Sequence, residues 1–237
     1  MTDKSKRNTH LLFARFAEET ARFGDMAQSM KQVVELDAKL NESERKSLAV
    51  AYRKAVAGQR YAWRAISSIL EKGNDATERQ LEMTKQLLNK IERDVEEKCR
   101  EILDLLDRLL LKEAANDEAK VFYLKLKADH YRYLAETRAE NTDVIEKSKQ
   151  AYQEAFDMAK DKLGPLHPTR LTVALNFAIL LFEVQNLPAE ACQLATQAYE
   201  DAFNEKKAKP EAAACPDSVT IMELLQDNLE YWGTAAD

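Results

Sequence analysis

The stretch SLAVAYRKAVAGQRYAWRAISSI, Ser47 to Ile69, holds no proline and a single glycine, Gly58. It reads as the middle of one long helix. Immediately upstream, Asn41, Glu42, Ser43 and Glu44 form a helix-start signal, with acids in the first turn where the macrodipole favours them. Downstream, the helix is predicted to run to about Lys72 and to stop at Gly73, Asn74 and Asp75. Arg53, Arg60 and Arg64 lie at i, i+7 and i+11, so three guanidinium groups share one stripe of this helix.

The rest of the chain has the same grain. Five glycines and five prolines occur in 237 residues, and the first proline is Pro165. Sheets and barrels need far more turn residues, commonly about 12% glycine plus proline. An all-α fold follows. A net charge of −6 and a pI near 5.4 argue against a general nucleic-acid binder, which needs a basic surface. No apolar run approaches the roughly 20 residues of a membrane span, and MTDKSKRNTH lacks the apolar core of a secretory signal. Cys99, Cys192 and Cys215 are odd in number and widely spaced, which suits a reducing setting and neither a disulfide framework nor a metal pair.

Apolar spacing predicts about nine antiparallel helices in one domain, residues 1–237. A first amphipathic segment over Leu11 to Ala17 passes into a second over Met26 to Leu36, with the turn expected at Gly24 and Asp25. The third ends near Lys72, and the fourth runs from Thr77 through Leu109. These two should each span roughly 45 Å. A fifth covers Val121 to about Thr137, and a sixth opens at Thr142–Asp143 and closes at Leu163–Gly164–Pro165. His167–Pro168 starts the seventh, Asn186–Leu187–Pro188 separates the eighth, and Asp217–Ser218 is read as the cap of the ninth, ending near Trp232. Residues 206–216 read as a mobile loop.

Enzyme signals are poor. His10, His130 and His167 lack ligand spacing, and no phosphate-binding glycine loop or zinc-protease motif occurs. No cofactor or metal is expected. The arginine stripe is more informative, because the fifth helix repeats it with Lys125 and Arg132 at i, i+7, followed by Tyr133. Gathered cations are costly unless carboxylates or a bound anion neutralise them, and arginine's planar fork suits phosphate. A solvated face with salt bridges to acids such as Asp129 is the alternative, and spacing leaves both open.

The stretches Ser47–Ile69 and VFYLKLKADHYRYLAE (Val121–Glu136) resemble the 14-3-3 signature. HPTRLTVALNFAILLFE (His167–Glu183) and DSVTIMELLQDNLEYW (Asp217–Trp232) agree in order and distance, so the resemblance covers nearly the whole chain. It implies a nine-helix protomer with tetratricopeptide-like helix stacking around a concave groove. Such protomers dimerise, bind phosphoserine and phosphothreonine segments of client proteins, and have no catalytic activity. The implied phosphate ligands are Arg53, Arg60, Arg132 and Tyr133, with Lys125 on the same wall. Arg53 stands where the family usually has lysine. Arg64 is assigned to support through a carboxylate such as Asp129. Asn176 and Asn228 match the asparagines that hold the client's main chain. Leu175, Ile179, Ile221 and Leu224 match the apolar wall, with ordinary core packing as the alternative. Glu183 and Trp232 match groove positions, and Tyr231 replaces the family's leucine.

For the dimer, residues 1–36 are the implied dimerisation helices. Arg22 with Asp94, and Asp25 with Lys90, match positions of intersubunit ion pairs, while Phe16, Thr20, Ile66 and Leu87 supply the contact face. Ala62 replaces a serine whose phosphorylation weakens the dimer in many relatives. The sequence closes on GTAAD in place of a long polar tail, and residues 206–216 differ from the family's loop. The implied protein is a eukaryotic, cytoplasmic adaptor with nuclear passage through its clients, forming a homodimer or a heterodimer with related isoforms. Neither nucleic acid nor membrane is an expected partner. The competing function is a tetratricopeptide-like scaffold for unphosphorylated peptides, suggested by Ala174–Phe203.

Overall fold

The computed structural model describes residues 2–72, 77–137, 141–209 and 215–235. Among these residues there are nine α-helices and no strand. They are α1 (Asp3–Glu19), α2 (Phe23–Leu36), α3 (Glu42–Lys72), α4 (Glu78–Leu105), α5 (Asp117–Thr137), α6 (Thr142–Lys162), α7 (Pro168–Ile179), α8 (Pro188–Ala208) and α9 (Pro216–Ala235). Single π-helical turns extend α4 over Leu106–Leu110 and α7 over Leu180–Val184. The backbone contacts divide the chain into two compact units. Met1–Ala115 with Tyr133–Glu140 form the first, and Asn116–Arg132 with Asn141–Asp237 form the second.

In the first unit the apolar spacing of each helix is cashed in as burial. Met26, Met30, Val33 and Val34 of α2, Leu48, Tyr52 and Val56 of α3, and Val95, Cys99 and Ile102 of α4 are all at or near zero exposure. Tyr52 is buried with its hydroxyl satisfied, donating to Glu101 Oε1 at 2.9 Å, while Lys31 Nζ donates to Oε2 at 2.9 Å. A polar tip inside a core is tolerable only with such a partner.

The start of α3 is fixed twice. Asn41 Oδ1 accepts from the Glu44 amide and Glu44 Oε2 accepts from the Asn41 amide, both at 3.0 Å, a reciprocal cap that satisfies two orphan donors. Arg7 of α1 then donates to both carboxylate oxygens of Glu44, at 2.8 and 2.9 Å. One glutamate therefore caps a helix and anchors its neighbour.

In the second unit, Tyr152, Leu171, Leu175, Phe177, Leu180 and Trp232 form the bulk of the core, closed by Ala191, Ala195 and Ala202 of α8. Small residues at i, i+4 and i+11 put no bulk between that helix and its neighbours. Tyr152 stacks on Phe177 at 5.7 Å and Phe182 on Trp232 at 4.9 Å.

Three local expectations are corrected. The first turn falls at Thr20–Arg22, not at Gly24–Asp25, which lie inside α2. Ala21 takes φ 55°, and the amides of Arg22 and Ala21 donate to the carbonyls of Ala17 and Glu18, the paired bonds of a Schellman motif. A residue other than glycine here accepts the left-handed conformation, so the sequence offered no glycine to mark the turn. Ser218 is not the cap of α9. That helix begins at Pro216, and the Ser218 hydroxyl instead donates to the Leu166 carbonyl at 2.7 Å. In the 206–216 segment, α8 continues to Ala208. Residues 210–214, like the Gly73–Asp75 stop signal, lie outside the described residues.

Candidate functional site

In the first unit, Arg60 is the arginine of the stripe that the fold encloses. Its side chain is 12% exposed, whereas Arg53 and Arg64 are exposed. Nε donates to Glu136 Oε2 at 2.8 Å, and Nη2 reaches Oε1 and Oε2 at 2.7 and 2.6 Å. The guanidinium carbon lies 3.7 Å from the centre of the Tyr133 ring. A two-point ion pair on one edge and an aromatic face beneath leave little rotational freedom, and Nη1 takes no part in the fork. A shared stripe on one helix thus does not mean a shared environment.

The second unit builds its own cluster around Asp129, which is 3% exposed. Lys125, one turn earlier on α5, donates to Oδ2 at 2.8 Å. Oδ1 accepts from the hydroxyl of Tyr152 in a short bond, and from Asn176 Nδ2 at 2.9 Å. Arg132, itself 8% exposed, donates from Nε to the Tyr152 oxygen at 3.3 Å. Burial alone would raise the Asp129 pKa, but the charges of Lys125 and Arg132 and these hydrogen bonds outweigh it and push it down to about 2. Burial and the neighbouring carboxylate push the Tyr152 phenol well above its ordinary value, so it remains a donor.

Asn176 thus already spends one amide donor on Asp129, while Asn228 is half-buried on α9. The expected apolar wall divides. Leu175 and Trp232 belong to the core, where Trp232 stacks on Phe182, whereas Ile179 and Ile221 are half-buried and Glu183, Leu224 and Tyr231 are exposed. Of the expected dimer residues, Phe16, Thr20, Arg22, Asp25, Leu87, Lys90 and Asp94 are exposed, and Ala62 and Ile66 half-buried. Within the single chain Arg22 pairs with Asp25. Phe13, Tyr61 and Met83, which the sequence reading did not single out, are more than half exposed in the same unit.

Two residues of the site were missed. Glu136 is signalled only by its position, four residues after Arg132 and three after Tyr133. Tyr152 has no sequence signal, because it meets Asp129 only when α6 packs on α5. Among the described residues no group of three or more histidine, cysteine or acidic side chains could hold a metal, and no helix is long and apolar enough to cross a membrane.

Among the described residues the chain is an all-helical protein in which Arg60 and Arg132 are drawn away from water and held by hydrogen bonds. The family model described as 14-3-3 protein matches residues 13–233. The chain is 47% identical over 225 residues to 14-3-3-like protein 2 of Caenorhabditis elegans, covering 94% of this chain and 90% of that one. It is 46% identical to 14-3-3 protein eta of Homo sapiens over 225 residues, with 92% and 91% covered. Against 14-3-3 protein zeta of Bombyx mori it is 46% identical over 221 residues, with 92% and 89% covered. The chain belongs to the 14-3-3 family, whose members are phosphopeptide-binding adaptors.

Proposed function

We propose that this protein is a phosphoserine/phosphothreonine adaptor that dimerises and holds phosphorylated segments of client proteins, regulating their conformation, partners or location in the cytoplasm and, through clients, the nucleus. By the family resemblance, Arg53, Arg60, Arg132 and Tyr133, with Lys125, take the phosphate, and Arg64 and Asp129 give support. Asn176 and Asn228 take the client backbone, and exposed Leu224 and Tyr231 meet its side chains. The observation that carries this reading is the treatment of Arg60 and Arg132. Both are withdrawn from water, and each is held by a carboxylate or hydroxyl on its Nε edge. Withdrawing cations from water is costly, and holding them in one orientation suits bidentate recognition of a phosphate dianion.

Association uses Phe16, Thr20, Ala62, Ile66 and Leu87, with Arg22–Asp94 and Asp25–Lys90 exchanging partners across a homodimer or a heterodimer with related isoforms. Two linked sites raise avidity for doubly phosphorylated clients. No catalytic step belongs to this function. The test is fluorescence anisotropy of a labelled arginine-rich phosphoserine peptide and its unphosphorylated twin. The phosphorylated peptide should bind selectively, and Arg60→Ala and Arg132→Ala should each weaken it by roughly 10- to 100-fold, the worth of charge-assisted hydrogen bonds. Equal binding of both peptides would support the tetratricopeptide-like scaffold instead.

A further inference from the structure

Tyr152 is fully buried, so it touches no client. Its hydroxyl nevertheless sits between two groups assigned to the ligand site. A carboxylate only accepts, so the phenol must donate its one proton to Asp129, and its oxygen lone pair then faces the Nε–H of Arg132. The ring is fixed independently of both, stacked on Phe177 at 5.7 Å with an interplanar angle of 12°. Asp129 passes the constraint onward, because the oxygen that accepts from Tyr152 also accepts from Asn176, and its other oxygen holds Lys125. One phenol therefore connects Arg132, Lys125 and Asn176.

We propose that Tyr152 is a positioning residue for phosphopeptide binding: its hydroxyl fixes the Nε edge of Arg132 and the orientation of Asp129, so that the outer edge of the Arg132 guanidinium is preset for phosphate and the Asn176 amide for the client backbone. This rests on the phosphopeptide reading above. The sequence could not show it, since Tyr152 lies 20 residues from Arg132 on another helix.

The experiment uses the full chain and the phosphoserine peptide with its unphosphorylated twin. Tyr152→Phe keeps the ring and its stacking on Phe177 and removes only the hydroxyl. Phosphopeptide affinity should fall roughly tenfold, as for loss of a hydrogen bond to a charged group. In the Arg132→Lys background, which keeps the charge but has no Nε–H, the same change should cost less than about twofold. That non-additivity separates positioning from general destabilisation. A measurement on the unmodified protein guards against a misfolded variant. The Arg132 Nε–H resonance, assigned by its loss in Arg132→Lys, should exchange with water far more slowly than that of exposed Arg53. Unchanged affinity in folded Tyr152→Phe, an additive cycle, or an Arg132 proton exchanging as fast as that of Arg53 would each overturn the proposal. If the unmodified protein did not distinguish the two peptides, the phosphopeptide reading itself would fall, and the exchange measurement would still report whether the Arg132 Nε–H is held.

Discussion

Replacing Asp129 by asparagine keeps the side chain's size and removes one charge from a site where everything else is a donor. Its two oxygens accept from Lys125, Tyr152 and Asn176, and it is 3% exposed. The pKa falls from 3.8 to about 2 in the folded chain. At about 1.4 kcal/mol per pKa unit, this is about 2 kcal/mol of stability at neutral pH. An asparagine would also turn an amide donor toward either the Lys125 ammonium or the Tyr152 and Asn176 donors, adding roughly 1–2 kcal/mol for the lost partner. The expected cost is therefore about 2–4 kcal/mol. Because the folded pKa lies below the unfolded one, the electrostatic part is fully present above about pH 4 and is lost as the pH falls through 2. Urea denaturation from pH 7 downward measures both. Fluorescence in a Trp63→Phe background leaves Trp232 as the reporter of the second unit. The gap between Asp129→Asn and the parent should stay level from pH 8 to pH 5 and narrow by up to about 2 kcal/mol on acidification below pH 4. A variant as stable as the parent at pH 7, or a gap indifferent to acid, would refute the assignment of Asp129 as the ionised anchor of this cluster.

The thiols should separate by environment. Burial raises Cys99 to about 12, so at pH 8 roughly one part in ten thousand is thiolate, while Cys215 is exposed. Ellman's reagent should therefore titrate Cys215 promptly and Cys99 only on unfolding, and prompt modification of Cys99 would contradict its burial. Phe16 is 51% exposed in the single chain, and Phe16→Glu should raise the dimer dissociation constant at least about 30-fold, roughly 2 kcal/mol of lost apolar burial. Sedimentation velocity across a concentration series reads this directly, and an unaltered dimer would remove α1 from the interface.

Scarcity of glycine and proline, apolar spacing, and the Asn41–Glu44 and Thr142–Asp143 starts determined an all-helical chain before any contact was known, because these signals act within a few residues. The same locality placed Arg53, Arg60 and Arg64 on one stripe, and Lys125, Arg132 and Tyr133 on one helix. Local signals misled where the backbone chose a costlier solution, as at Ala21, or where a side chain found a distant partner, as Ser218 did at Leu166. Which arginine of the stripe is withdrawn from water, which carboxylate grips it, and the place of Tyr152 between Asp129 and Arg132 were decided only by tertiary packing. Charge orientation depends on groups far apart in the chain, and no periodicity within one helix encodes which face of another helix it will meet.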